Sequence, residues 1–154
     1  MPQRAAARSA AVPEDVADWS ERRRDAAVER AEALARRGAG ESARARVLLT
    51  EFVREATARG IAPVRLRARS YDGRHRYRTA TEGWYLKLNE SVAVGTDGEF
   101  YLLGVPSSLL AQVRGATIEP SEPPLVLGKG GRDGESIDLP DALAMVLERS
   151  APAG

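Results

Sequence analysis

The sequence predicts an α+β fold: two N-terminal helices, an antiparallel meander of five or six strands, and a C-terminal helix. Three observations predict it. Residues 13–59 are dominated by Ala, Glu and Arg, which favour helix. Residues 64–105 alternate apolar and polar side chains and contain two Asp-Gly turns, the strongest short-range hairpin signal. Residues 138–149 return to an apolar helical pattern after a glycine-rich loop. Helices followed by a run of strands give an antiparallel sheet covered on one face.

Taken in order, residues 1–12 are Ala, Arg and Ser with nothing to bury, and read as a disordered tail. One α+β domain is expected over 13–150. It divides into a helical part at 13–59, a sheet at 60–128, a Gly-rich loop at 129–137 and a helix at 138–149, with 151–154 as a fraying tail. Pro13 opens the first helix, which runs to Arg37 with a thin apolar stripe of Val16, Trp19, Ala26 or Ala27, and Leu34. Arg23 and Arg30 interrupt the stripe, so this helix is expected to be solvated and to pair with itself or with a protein partner. Gly38-Ala39-Gly40 is expected to break it. Glu41–Arg59 forms the second helix, with Ala45, Leu48, Leu49, Phe52, Val53 and Ala56 on one face. Gly60 and Ile61 fit its C-terminal closure.

Val64–Ser70 and Arg74–Thr79 are the first two strands, joined through Asp72-Gly73. Gly83–Asn89, Ser91–Gly95 and Phe100–Val105 are the next three. Ser107-Ser108 suits a helix cap before Leu109, Leu110 and Val113. Thr117 and Ile118 extend the sheet, Leu125–Leu127 is a short apolar strand, and Asp138 caps the last helix.

Composition excludes several classes. The 154 residues include no cysteine and one histidine, which removes disulfide scaffolds, cysteine-ligated metals and multi-histidine sites. No apolar run suits a signal peptide or a membrane span, so a cytoplasmic chain without membrane contact is expected. Neither a cofactor nor a metal is expected. Residues 1–78 carry 18 basic and 11 acidic side chains, whereas 79–154 carry 5 and 11. Such a split marks an anion-binding half or two halves that attract each other.

A two-residue turn at Asp72-Gly73 sets Arg69 opposite Arg76 and Arg67 opposite Arg78. One face then holds Arg65, Arg67, Arg69, Arg76 and Arg78, with Arg74 at its end, and the other holds Leu66, Ala68, Ser70, His75, Tyr77 and Thr79. Opposed arginines repel. Solvent, carboxylates from Glu82, Glu90 or Glu99, or an anionic ligand must relieve them. Guanidinium forks match phosphate oxygens, and Tyr71 and Tyr85 supply rings for a base, which points to a polyanion such as RNA or single-stranded DNA. The outline is therefore a non-enzymatic binding or interaction domain. A small enzyme with a pocket at the Gly128–Ser136 loop is the alternative, although that loop lacks both phosphate-loop spacings. His75, opposite Ser70, is expected to be partly buried and hydrogen-bonded.

The segment GWYLKLNESVAVGTDGEFYLLGVP, with the later PPLVLGKGGRDGES, resembles a group of conserved-hypothetical proteins of high-GC actinobacteria. The resemblance implies no activity and transfers no site residue. It agrees with the bias that makes 21 of the 23 cationic side chains arginine.

Overall fold

The structure, a computed structural model, describes residues 12–128 and 136–150. The described residues up to Gly40 form one compact unit and those from Glu41 onward form another. The tails expected at 1–12 and 151–154 lie outside the described residues, apart from Val12.

The first correction concerns the helices. Helix α1 is continuous over Val12–Ala58, so the predicted break at Gly38-Ala39-Gly40 is absent. Each glycine costs a helix interior about 1 kcal/mol against alanine, yet neither removes a hydrogen bond as proline would. The strong helix formers on both sides carry the helix through. In the first unit Val16, Trp19, Val28 and Leu34 of α1 are exposed. In the second, Ala45, Leu49, Phe52 and Ala56 are buried. The helix ends as the sequence indicates. The Ile61 N–H donates to the Ala56 carbonyl at 2.9 Å and the Gly60 N–H to Thr57 at 3.1 Å, with Gly60 at φ 73°.

The strands are β1 (Val64–Ser70), β2 (Arg76–Tyr85), β3 (Val92–Gly95), β4 (Phe100–Leu102) and β5 (Gly104–Val105). Short helix α2 (Leu109–Arg114) follows, then β6 (Pro120–Ser121), β7 (Val126–Leu127), β8 (Ile137–Asp138) and α3 (Leu139–Arg149). The main sheet has the order β5-β1-β2-β3-β4-β6, and β7 pairs with β8 separately. The expected second and third strands are one, β2. The expected fifth strand is two, because it changes partner at Leu103: β4 pairs antiparallel with β3, and β5 pairs parallel with β1. Leu103 belongs to both ladders, donating to Ser91 at 3.0 Å and accepting from Arg69 at 2.7 Å. Strands β1 to β5 therefore close into a ring. Thr117 and Ile118 are not strand; the sheet extends at Pro120–Ser121 instead.

Closure gives the second unit two cores. Leu66, Ala68, Tyr77, Ala93, Tyr101, Leu103 and Ile118 fill the ring. On its outer side Trp84, Leu86, Val92, Val94 and Phe100 pack with α1 and with Leu139, Ala142, Leu143 and Val146 of α3. Phe52 meets Trp84 edge-on at 5.7 Å, and the Trp84 indole donates to the Ile61 carbonyl at 3.1 Å, which satisfies the one polar atom of that ring. Tyr101 is 5% exposed, with its hydroxyl donating to Asp97 at 2.6 Å. Burial, reinforced by that carboxylate, pushes its pKa up to about 12. Asp138 precedes α3 in extended conformation but makes no side-chain cap bond, and Pro140 supplies the fixed φ that starts the helix.

Candidate functional site

The outer wall of the ring is covered by helices along β3, β4 and the second half of β2. Along β1 and the first half of β2 it carries arginines in place of apolar residues, and there it is bare. The hairpin register is the expected one near the turn: Arg69 lies opposite Arg76, Ala68 opposite Tyr77 and Arg67 opposite Arg78. Leu66, Ala68, Ser70, Tyr77 and Thr79 face inward and are buried, and all five arginines are exposed.

Beyond Arg67 the register slips, and pairing resumes with Arg65 opposite Glu82 where continuous alternation would set Leu66 opposite Thr79. Thr79 holds the irregularity. Its hydroxyl donates to the Leu66 carbonyl at 2.7 Å and accepts from the Thr81 N–H at 3.3 Å. The slip gives Arg65 a carboxylate, with Arg65 Nη2 and Glu82 Oε1 3.5 Å apart. Arg76 pairs with Glu90. Glu90 is the one non-glycine residue of the described chain at positive φ, 58°. Glu99, the third acid expected to bridge the face, pairs with none of these arginines among the described residues. Arg67, Arg69 and Arg78 have no carboxylate within 4.0 Å among the described residues. The opposed pair Arg67 and Arg78 is thus left with solvent alone, a repulsion worth several tenths of a kcal/mol (~0.2–1).

The two tyrosines differ from each other. Tyr71 is 76% exposed. Gly104 stands beside Arg69 in the parallel β1–β5 ladder, and a Cβ placed on it would meet the Tyr71 ring at 3.3 Å. Laterally paired residues share a face, so the Tyr71 ring lies on the arginine side. Tyr85 does not provide a second ring. It is half-buried against the inner core, and its hydroxyl accepts the Arg67 backbone N–H at 3.0 Å, satisfying a donor the slipped register leaves over. That role is not legible in the residues themselves, because it follows from the slip.

The turn is tied by polar groups. Ser70 Oγ donates to Asp72 at 2.6 Å and accepts the His75 N–H at 3.1 Å, while the Arg74 N–H donates to the same Asp72 oxygen at 3.0 Å. The Ser70 hydroxyl, followed by the Arg74 N–H, holds the Asp72 carboxyl below the ordinary carboxylate range. His75 is exposed, which corrects the expectation of partial burial. It lies past the turn, where the ring opens, with Gln112 at 3.3 Å and its ring stacked on Tyr77. Helix α2 is capped as expected, Ser108 accepting the Ala111 N–H at 3.2 Å, and its apolar side chains Leu109, Leu110 and Val113 are exposed. Behind it Gly115, at φ 85°, lies so close to β2 that a Cβ would meet the Arg78 carbonyl oxygen at 2.6 Å. That approach lets the Ala116 N–H bond the same carbonyl at 2.8 Å and fixes the Arg78 backbone.

The other predicted residues, Val16, Trp19 and Leu34, are exposed on α1 in the first unit. Residues 129–135, most of the loop considered for an enzyme pocket, lie outside the described residues. Among the described residues no three His, Asp or Glu side chains converge to hold a metal, and no helix is long and apolar enough to cross a membrane. No protein-family model matches this chain, and no match was found among curated proteins or solved structures.

Proposed function

We propose that this chain is a non-enzymatic binding module whose arginine wall holds a polyanion of phosphodiester type, RNA or single-stranded DNA. One observation carries this reading: Arg67, Arg69 and Arg78 stand exposed on a two-stranded wall with no carboxylate partner among the described residues, in a chain with nearly as many acids as bases. A face built for solubility alone gains nothing from opposed arginines without carboxylates. A phosphate backbone would supply the missing anions two oxygens at a time, with Tyr71 as the stacking ring at one end. Arg65 and Arg76, held by Glu82 and Glu90, form a flanking pair that an incoming phosphate would draw away from its acids.

Fluorescence anisotropy with labelled short RNA and single-stranded DNA tests this, at low and at physiological salt. Binding is expected to fall steeply as salt rises, in proportion to the phosphates neutralised. The Arg67→Ala/Arg78→Ala variant should lose most of it. Glu90→Gln frees Arg76 and should tighten it severalfold. Arg78→Thr should weaken binding while stabilising the fold by about 0.5 kcal/mol, since it removes a like-charge pair. Absence of binding at low salt, or binding untouched by these variants, overturns the proposal.

A further inference from the structure

Residues 15–40 of α1 hold a helix that buries no large apolar side chain, with Trp19 59% and Leu34 63% exposed. We infer that this segment pairs antiparallel with the same segment of a second copy of the chain, in a single register set by charge.

The pattern is a seven-residue one. The apolar residues Val16, Trp19, Ala26 and Ala33 fall on one seam of alternating three- and four-residue steps, and Arg23, Arg30 and Arg37 occupy its remaining positions. A shallow groove follows that seam. Trp19, Arg22, Arg23, Ala26 and Arg30 line one part of it, and Ala26, Glu29, Arg30, Ala33, Leu34 and Arg37 line the next. The Arg23 guanidinium already lies over the Trp19 ring, 4.2 Å from its centroid.

The orientation follows from the arginines. A parallel pair would set Arg23, Arg30 and Arg37 each against its own copy in the middle of the seam. An antiparallel pair sets large against small in two layers, Val16 facing Ala33 of the second copy and Arg23 facing Ala26, and in the third it sets Trp19 against Arg30. The arginine stems then lie along apolar surface with their charged ends outside, and Trp19 gains a second guanidinium.

The register follows from the residues that precede each first seam position: Asp15, Arg22, Glu29 and Arg36. Their signs alternate. In the antiparallel pair just described, these side chains flank the seam and face one another. Asp15 meets Arg36 of the second copy and Arg22 meets Glu29, and symmetry repeats both contacts. All four are attractive. A shift of seven residues either way brings Arg22 to Arg22 and Asp15 to Glu29, or Arg22 to Arg36 and Glu29 to Glu29, so every flanking contact becomes repulsive. Arg22 gives up only an exposed pair with Asp18 at 3.2 Å to make the new contact. A different protein would have no reason to meet a charge alternation that is its own complement under a two-fold axis.

Sedimentation equilibrium on the full chain, across a wide concentration range, reads the association directly. A monomer–dimer equilibrium that weakens with salt is expected. Glu29→Arg should raise the dissociation constant about tenfold, because two attractive contacts become repulsive. Adding Arg22→Glu to that variant should restore it, since the swapped charges again face each other. The chain has no cysteine, so orientation can be read by oxidation. A mixture of the Val16→Cys and Ala33→Cys chains should form a disulfide-linked pair. Neither should form one alone, since like positions lie about 25 Å apart along the axis. A monomer at every concentration, a Glu29→Arg variant that pairs normally, or rapid linkage of Val16→Cys to itself overturns the inference.

Discussion

Helix α1 offers two lengths of one element with opposite fates. From Glu41 to Ala58 its apolar residues Ala45, Leu49, Phe52 and Ala56 fall at steps of three and four, and all are buried. From Asp15 to Gly40 the large ones, Val16, Trp19, Val28 and Leu34, scatter around the helix and are exposed. Both lengths are helical. Helix formation here follows backbone propensity and the absence of proline, whereas burial follows the spacing of apolar side chains. The two requirements are separable, and only the second assigns a length of helix to a core.

The sharpest way to break this contrast is truncation in each half. Phe52→Ala removes a ring packed on Trp84 and should cost about 3–5 kcal/mol in chemical denaturation. Trp19→Ala should shift the stability of the monomeric chain by less than about 0.5 kcal/mol, as for other exposed positions. Equal costs would abolish the distinction.

A second effect belongs to the buried unit alone. The Tyr101 pKa is raised from 10.0 to about 12, so the folded state holds that proton more tightly than the unfolded chain. The resulting stability is fully present below pH 10 and is lost as pH rises through 12. It amounts to about 2–3 kcal/mol. Denaturation midpoints across that window should fall in the native chain and fall less in Tyr101→Phe.

Smaller effects sharpen the account of the unburied half. Gly38→Ala and Gly40→Ala meet no atom within 4 Å at the new Cβ, and neither glycine has positive φ. Each should stabilise the helix by about 1 kcal/mol, read as slower amide exchange around residue 40. Asp18→Ala, which removes the exposed pair with Arg22, should cost no more than about 0.5 kcal/mol.

Much of the fold was legible because it rests on local rules. The Asp-Gly turns, the alternation near Asp72, the closure at Gly60 and the cap at Ser108 are decided within a few residues. What was not legible depends on distant partners. The change of partner at Leu103 is invisible in a run of residues that reads as one strand. The slip between Arg65 and Arg67 turns on Thr79 satisfying a carbonyl across the ladder, and it alone gives Arg65 its carboxylate and Tyr85 its structural role. Of the candidate site, the sequence showed which arginines share a face. It did not show which of them are neutralised. Gly38 and Gly40 mark a break by local cost alone, and the helix formers on either side of them override it.

The ends of the main sheet have a further consequence. Its outermost strands, β5 and β6, are two residues long, and β6 begins with Pro120, which has no N–H to offer. Exposed strand edges invite another chain to add itself by backbone hydrogen bonding, the route to both strand-swapped assemblies and fibrils. Neither of these two strands is long enough to template that addition. Whatever approaches the sheet at β5 or β6 must therefore be recognised by side chains, which guards these two ends against growth through their own backbone.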